Sequence, residues 1–271
     1  MFMASIASKF LAKKNLVLSD IDAAEKLLSS KDKSVDKLRT LALAEKLAAY
    51  QDLLYAQKKH KILVILQGMD TSGKDGTVRA VFGQINPLGA RCYCFKAPTA
   101  IESAHDYLWR VHQQVPALGE ITIFNRSHYE DVLITRVHEW ISPTEVQQRF
   151  THINAFEKML AETGTTIFKF FLHISKSEQK ERLEERIADP NKHWKFDAND
   201  LSERAYWDHY QLAYQEAIDA TNTDYAPWFI IPANSKTQRN LTIASILEEQ
   251  IALLGLAYPP GNPNIKNLVV E

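Results

Sequence analysis

Residues 62–77 read ILVILQGMDTSGKDGT, and the change of character inside this stretch decides the fold. Ile62 to Gln67 is a continuous run closed by glycine, which suits a strand buried on both faces of a parallel sheet. Gly68-Met69-Asp70-Thr71-Ser72-Gly73-Lys74 follows and opens a helix, expected to begin near Gly73 and to end before Pro87. Strand, glycine-bearing loop and helix in that order are the context of a phosphate-binding P-loop. Glycines let the backbone turn its N–H groups inward, the helix N-terminus adds positive potential, and Lys74 supplies a full charge. Gly68, Met69, Thr71, Ser72, Gly73, Gly76 and Thr77 are the candidate phosphate and nucleotide contacts around it.

Two acids give this loop an unusual chemistry. Asp75 stands where Ser or Thr normally ligates magnesium. Asp70 lies inside the loop, where an unpaired anion would repel phosphate unless a divalent cation or a proton came between them. Asp70 is therefore expected to contact Mg²⁺, directly or through water. Asp75 is either a further ligand or a helix cap.

Working outward, four more short segments read as strands: Arg91 to Phe95, Ile121 to Asn125, Thr165 to Ile174 and Trp228 to Pro232. They alternate with helical patterns, which predicts an α/β fold with a parallel five-stranded sheet flanked by helices. Ser34 to Lys59 reads as one long flanking helix capped by Ser34. The polar interval Ser175 to Thr223 predicts two helices broken at Asp189-Pro190, a lid excursion over the site rather than core. Pro259-Pro260-Gly261 marks the end of packed structure. The whole chain, 1–271, reads as a single P-loop domain.

The third strand runs into Asn125-Arg126-Ser127-His128-Tyr129-Glu130-Asp131, at the carboxyl end where open α/β sheets place their sites. Arg126 is placed to donate two charge-assisted bonds to a phosphoryl oxygen. A P-loop enzyme usually has an aspartate near Asn125 for its metal, so Glu130 or Asp131 is expected to compensate. His128 is read as structural, because phosphate is already a strong nucleophile and needs little base assistance. In the excursion, Arg182 and Arg186 share a helical face and Lys192, Trp194 and Lys195 follow the break. Beside a P-loop, these cations are candidates to neutralise transferred charge. Trp194 is expected to pack beneath the lid helices.

Composition narrows the partners. Among 271 residues, 45% are apolar and 24% charged, and 32 basic residues nearly cancel 33 acidic ones to a net −1. No bulk positive field points to nucleic acid or an anionic membrane, so any polyanion site is local. Met1 to Leu18 has no uninterrupted apolar core or cleavage site, and no run approaches bilayer-spanning length. Cys92 and Cys94 read as reduced strand residues, so the expected location is the cytoplasm.

The chain resembles the second family of polyphosphate kinases through a collinear series of segments. These are GMDTSGKDGT at 68–77, FKAPT at 95–99, IFNRSHYEDVLITRVH at 123–138, ERLEERIADPNKHWKF at 181–196, WDHYQLAYQEAI at 207–218 and APWFIIPANSKTQRNL at 226–241. The resemblance implies a P-loop kinase core with a helical lid. It implies Mg²⁺-dependent, reversible transfer of the terminal phosphoryl of polyphosphate to nucleotides (AMP, ADP, GMP or GDP), with Mn²⁺ as a substitute metal and a homodimer or homotetramer as the assembly. It assigns catalysis to Asp70, Lys74 and Arg126, and polyphosphate binding to Arg182, Arg186, Lys192 and Lys195. Lys96 and Pro98 join Asn125 and Glu130 as substrate contacts. Metal ligation falls to Asp70, with Asp75, Glu130 and Asp131 as further candidates. The NRSHYED form resembles the subgroup that accepts both mono- and diphosphates. An ATP-dependent nucleotide kinase and a non-catalytic nucleotide-binding regulator are the alternatives, and a donor assay separates them.

Overall fold

A computed structural model describes residues 5–197 and 199–263, with the side chains of positions 20, 21 and 195 outside the description. The strands are β1 (Lys61–Gln67), β2 (Ala90–Cys94), β3 (Ile121–Asn125), β4 (Thr165–His173) and β5 (Trp228–Pro232). They form one parallel sheet in the order β2-β3-β1-β4-β5. Ile62 to Leu66 are each wholly buried, as a central strand covered on both faces requires. From β1 the chain crosses β3 to reach β2, and from β3 it crosses back over β1 to β4, so the connections change direction beside β1. That switch point opens a crevice at the strands' carboxyl ends.

In chain order the helices are α1 (Asp20–Ala24), α2 (Lys33–Gln57), α3 (Lys74–Phe82), the single turns α4 (Ala100–Ser103), α5 (Trp109–His112) and α6 (Ile134–Val137), then α7 (Pro143–Glu162), α8 (Lys176–Ala188), α9 (Asn199–Ala205), α10 (Trp207–Thr221) and α11 (Lys236–Ala252). α2, α3 and α11 pack together as one layer, and α7 and α10 as another. The cap of α2 is Asp32, not Ser34: the Asp32 carboxylate accepts from the Ser34 N–H at 2.7 Å and the Val35 N–H at 3.4 Å. A carboxylate two residues earlier reaches the orphan donors that the Ser34 hydroxyl, already inside the first turn, cannot.

The interval 175–223 differs from expectation. It contains three α-helices and the 3₁₀ segment Pro190–Lys195. Its last helix belongs to the core, since α10 buries Trp207, Ala213, Tyr214, Ala217 and Ile218. A narrow apolar stripe suffices for one-sided burial, so the excursion proper is confined to the end of α8 through α9. Trp194 is 78% exposed rather than packed below the helices.

The two sheet edges are treated differently. At β5 the chain before α1 lies alongside: Ala12 N–H donates to the Trp228 carbonyl at 2.8 Å, and Ile230 N–H to the Phe10 carbonyl at 2.7 Å. β2 is the opposite edge, and its Cys92 and Cys94 are exposed free thiols.

Candidate active site

The loop after β1 takes its shape from close approaches. A side-chain carbon at Gly68 would meet the Leu172 carbonyl at 2.6 Å, and Gly73 has φ +97°. Thr71, at φ +64°, is a non-glycine residue in the left-handed region, a strain tolerated where surrounding structure enforces it. Lys74 opens α3, and its buried Nζ donates to the carbonyls of Gly68 at 2.7 Å and Met69 at 3.4 Å. Burial, and then the charge of Arg126, bring its ammonium down to about 8, against the pull of Asp70, Glu130 and Asp75. The hydroxyls of Thr71 and Ser72 are buried without a hydrogen-bond partner. Such orphans fit a site built around a ligand.

The end of β3 closes on this loop. Arg126 has φ +62°, its N–H donates to the Leu66 carbonyl, and its guanidinium donates to Asp70 at 2.8 Å. Glu130, ahead of Asp70, raises the guanidinium's affinity for its proton while burial opposes them. The Asn125 amide donates to Asp75 at 2.8 Å, so Asp75 is oriented across to β3. Asp70, Lys74, Asp75, Asn125 and Arg126 therefore converge.

Two cavities meet at this cluster and share Asp70, Arg126 and Asp200. One adds the cations Lys74, Lys96 and Arg186 to Asp75. The other adds Glu130, Asp197, Glu203 and Arg204, with Ile134, Tyr210 and Tyr214 as its less polar wall. The excursion is anchored around them. Arg186 donates to Asp200 at 3.3 Å, Arg204 to Gln179 at 2.7 Å, and Glu203 lies 3.0 Å from His138 and accepts from Tyr210 at 2.6 Å.

Several expected site residues are placed elsewhere. Arg182 is buried, and its guanidinium makes five hydrogen bonds: to Glu178 and to the carbonyls of Thr71, Ser72, Ala233 and Asn234. A guanidinium has five N–H donors, so Arg182 braces the P-loop instead of reaching phosphate. Asp131 lies behind the site, 3.9 Å from Arg110 and 3.8 Å from Arg149. Burial pushes it up to about 6 despite those arginines, and it lines neither cavity. The Thr77 hydroxyl turns toward Asn240 at 3.3 Å. Pro98 is exposed one residue beyond Ala97 at the rim. Lys192 is exposed and pairs with Asp189 at 3.0 Å, and the Lys195 side chain lies outside the described residues. His128 is buried, 3.2 Å from Glu157. Glu157 also accepts from Lys169 at 2.6 Å, while Lys169 further donates to the Tyr129 hydroxyl and the Thr221 carbonyl. His128 thus belongs to a buried polar network under the sheet.

Among the described residues no three His, Cys, Asp or Glu side chains gather as a metal cage. Mg²⁺ does not demand one: it is usually held by one or two carboxylates together with substrate phosphates and water. Asp70 and Asp75 line the same cavity as Lys74, and that donor set fits such an ion. Sequence reading missed Asp200, Glu203, Arg204, Tyr210 and Arg239. Of these only Arg239 carried a local signal: together with Lys236 it puts two cations and no acid in the first turn of α11, where the helix dipole disfavours positive charge.

Comparison with known proteins follows the same lines. The family model described as Polyphosphate kinase 2 matches residues 29–255. The AMP/ADP-polyphosphate phosphotransferase of Meiothermus ruber is 53% identical over 229 residues, covering 84% of this chain and 86% of that protein. The ADP-polyphosphate phosphotransferase of Rhodopseudomonas palustris is 42% identical, covering 86% and 84% respectively. The crystal structure of Polyphosphate Kinase 2 from Arthrobacter aurescens superposes with a TM-score of 0.92 at 42% identity, over 97% of this chain and 94% of that one.

Proposed function

From the premise that the chain belongs to the polyphosphate kinase 2 family, we propose that it transfers the terminal phosphoryl group of inorganic polyphosphate to AMP and ADP. The observation that carries this reading is the shared wall of the two cavities, with Asp70 and Arg126 between them and Lys74 on the cationic side. Two substrates can meet there from opposite sides.

A phosphate oxygen of the nucleotide attacks the terminal phosphorus of polyphosphate. The new P–O bond forms as the bond to the bridging oxygen breaks, and the shortened chain leaves with that electron pair. Little covalent work falls to the protein, so positioning and charge dominate. Lys74 meets negative charge growing on the transferred group. Arg126, at the junction, orients its oxygens. The loop N–H groups hold the chain end, and the hydroxyls of Thr71 and Ser72 gain partners. Mg²⁺, or Mn²⁺ in its place, would be held by Asp70 and Asp75 and would neutralise the phosphate oxygens.

The cavity bearing Lys74, Lys96 and Arg186 suits polyphosphate, which offers only charged oxygens to recognise. The carboxylate-richer cavity, with Tyr210 and Tyr214, suits the less charged nucleotide and its aromatic base. GMP and GDP are the further acceptors to compare, and a homo-oligomer acting in the cytoplasm is the proposed setting. The test offers the purified protein polyphosphate and Mg²⁺ with AMP, ADP, GMP or GDP and resolves the products chromatographically. Di- and triphosphates are expected. Product formed from ATP as donor but not from polyphosphate would favour an ATP-dependent nucleotide kinase.

A further inference from the structure

Arg239 stands in the first turn of α11, 2% exposed, and reaches under the P-loop. Its Nη1 donates to the Ser72 carbonyl at 2.9 Å. Its Nε and Nη2 donate to the Asn240 side-chain carbonyl at 3.1 and 3.0 Å. A side-chain carbon at Gly73 would lie 1.9 Å from Nη1, and one at Gly76 would lie 3.2 Å from Nη2. The guanidinium thus fills the room left by two missing side chains. Arg182 donates to the same Ser72 carbonyl but has Glu178 as a counter-charge. Among the described residues no carboxylate forms an ion pair with Arg239.

A buried cation without a counter-ion is costly. Its hydrogen bonds here go only to neutral carbonyls, while its field points into the loop that cradles phosphate. We propose that Arg239 is a positioning residue of phosphoryl transfer: from beneath Gly73 and Gly76 it holds the Ser72 carbonyl, and its buried charge is compensated only when the polyanion occupies the P-loop. Burial, and then the charge of Arg182, bring the guanidinium down to about 9 in the free protein, in the sense expected for a cation awaiting an anion. This rests on the P-loop being the phosphate site.

The experiment measures tripolyphosphate affinity by calorimetry and melting temperature with and without tripolyphosphate, for the wild type, Arg239→Met, Arg239→Lys and Lys74→Ala. Arg239→Met is expected to melt no lower than the wild type when free, yet to bind tripolyphosphate about tenfold or more weakly, as loss of a low-dielectric charge implies. Arg239→Lys, which keeps the charge, should recover much of the affinity. An Arg239→Met protein that fails to fold, or melts lower while binding tripolyphosphate normally, would reduce the residue to a brace and overturn the proposal. If Lys74→Ala binds tripolyphosphate like the wild type, the phosphate assignment of the P-loop fails instead.

Discussion

The Asp70 carboxylate accepts from the Arg126 guanidinium at 2.8 Å, so the acid of the loop and the cation that follows β3 neutralise each other where the two cavities meet. Substrate phosphate competes for Arg126, and a divalent cation competes for Asp70. The pair can exchange partners without moving the backbone that carries either.

Asp70→Asn is therefore expected to lower activity and weaken Mg²⁺ dependence more than Asn125→Ala does. The first substitution removes an anionic ligand candidate, whereas the second only releases Asp75 from an amide. Rate measured against Mg²⁺ concentration decides, and the reverse ranking would refute the metal assignment.

Lys74→Ala should cut turnover by about 10²-fold or more with the fold retained, since a preorganised charge on a transferring group is worth several kcal/mol. Only the protonated ammonium does this work. With the free-protein value lowered to about 8, kcat/KM for polyphosphate should fall as pH rises through about 8. The fall in kcat should come later, because bound phosphate favours the charged form. The folded value lies below the ordinary 10.5, so this group disfavours the folded state at lower pH and relaxes that cost above about 8. A kcat/KM profile flat to pH 10 would exclude Lys74 as the responsible cation.

Arg182 and Arg186, four apart on α8, should separate cleanly. Arg182→Gln takes the guanidinium from the carbonyls of Thr71, Ala233 and Asn234, leaves that of Ser72 to Arg239 alone, and removes the ion-pair partner of Glu178, at a cost of about 3–5 kcal/mol in urea unfolding. Arg186→Gln breaks a pair with Asp200 whose side chains are 24% and 17% exposed and should cost about 1 kcal/mol or less. It should instead raise KM for polyphosphate more than for ADP, with the wild-type difference shrinking as salt screens the cation. A larger rise for ADP would mean that the cationic cavity belongs to the nucleotide.

Lys169 has all three ammonium protons placed, on Glu157, the Tyr129 hydroxyl and the Thr221 carbonyl. Lys169→Met should cost about 3–5 kcal/mol by leaving the Glu157 carboxylate buried and uncompensated, and adding Glu157→Gln should return part of it. Denaturant unfolding of the single and double variants checks this; equal stabilities would show that the network is neutral to the fold.

The P-loop and all five strands were legible because apolar runs and glycine spacing are local signals. What escaped was set by partners distant in the chain. Arg182 and Arg186 look alike on a helical wheel, but only the first meets the carbonyls of the loop. α10 reads as polar because Trp207, Tyr214 and Ile218 form a thin stripe among charged neighbours, yet that stripe is buried. Asp131 follows Glu130 directly, but Arg110 and Arg149, from elements before and after it, draw it off the cavity wall. Arg239 gains its place from the absence of atoms at Gly73 and Gly76, a relation no spacing rule contains.

The strip of chain before α1 that lies against β5 bears on handling the protein. A shortened version beginning at α1 would strip Phe10 and Ala12 from the sheet and bare the N–H of Ile230 and the carbonyl of Trp228. An uncovered strand edge is a template for pairing with another molecule. Loss of the nineteen residues ahead of α1 would then appear as clumping on storage, and an affinity handle would be better carried ahead of this strip than substituted for it.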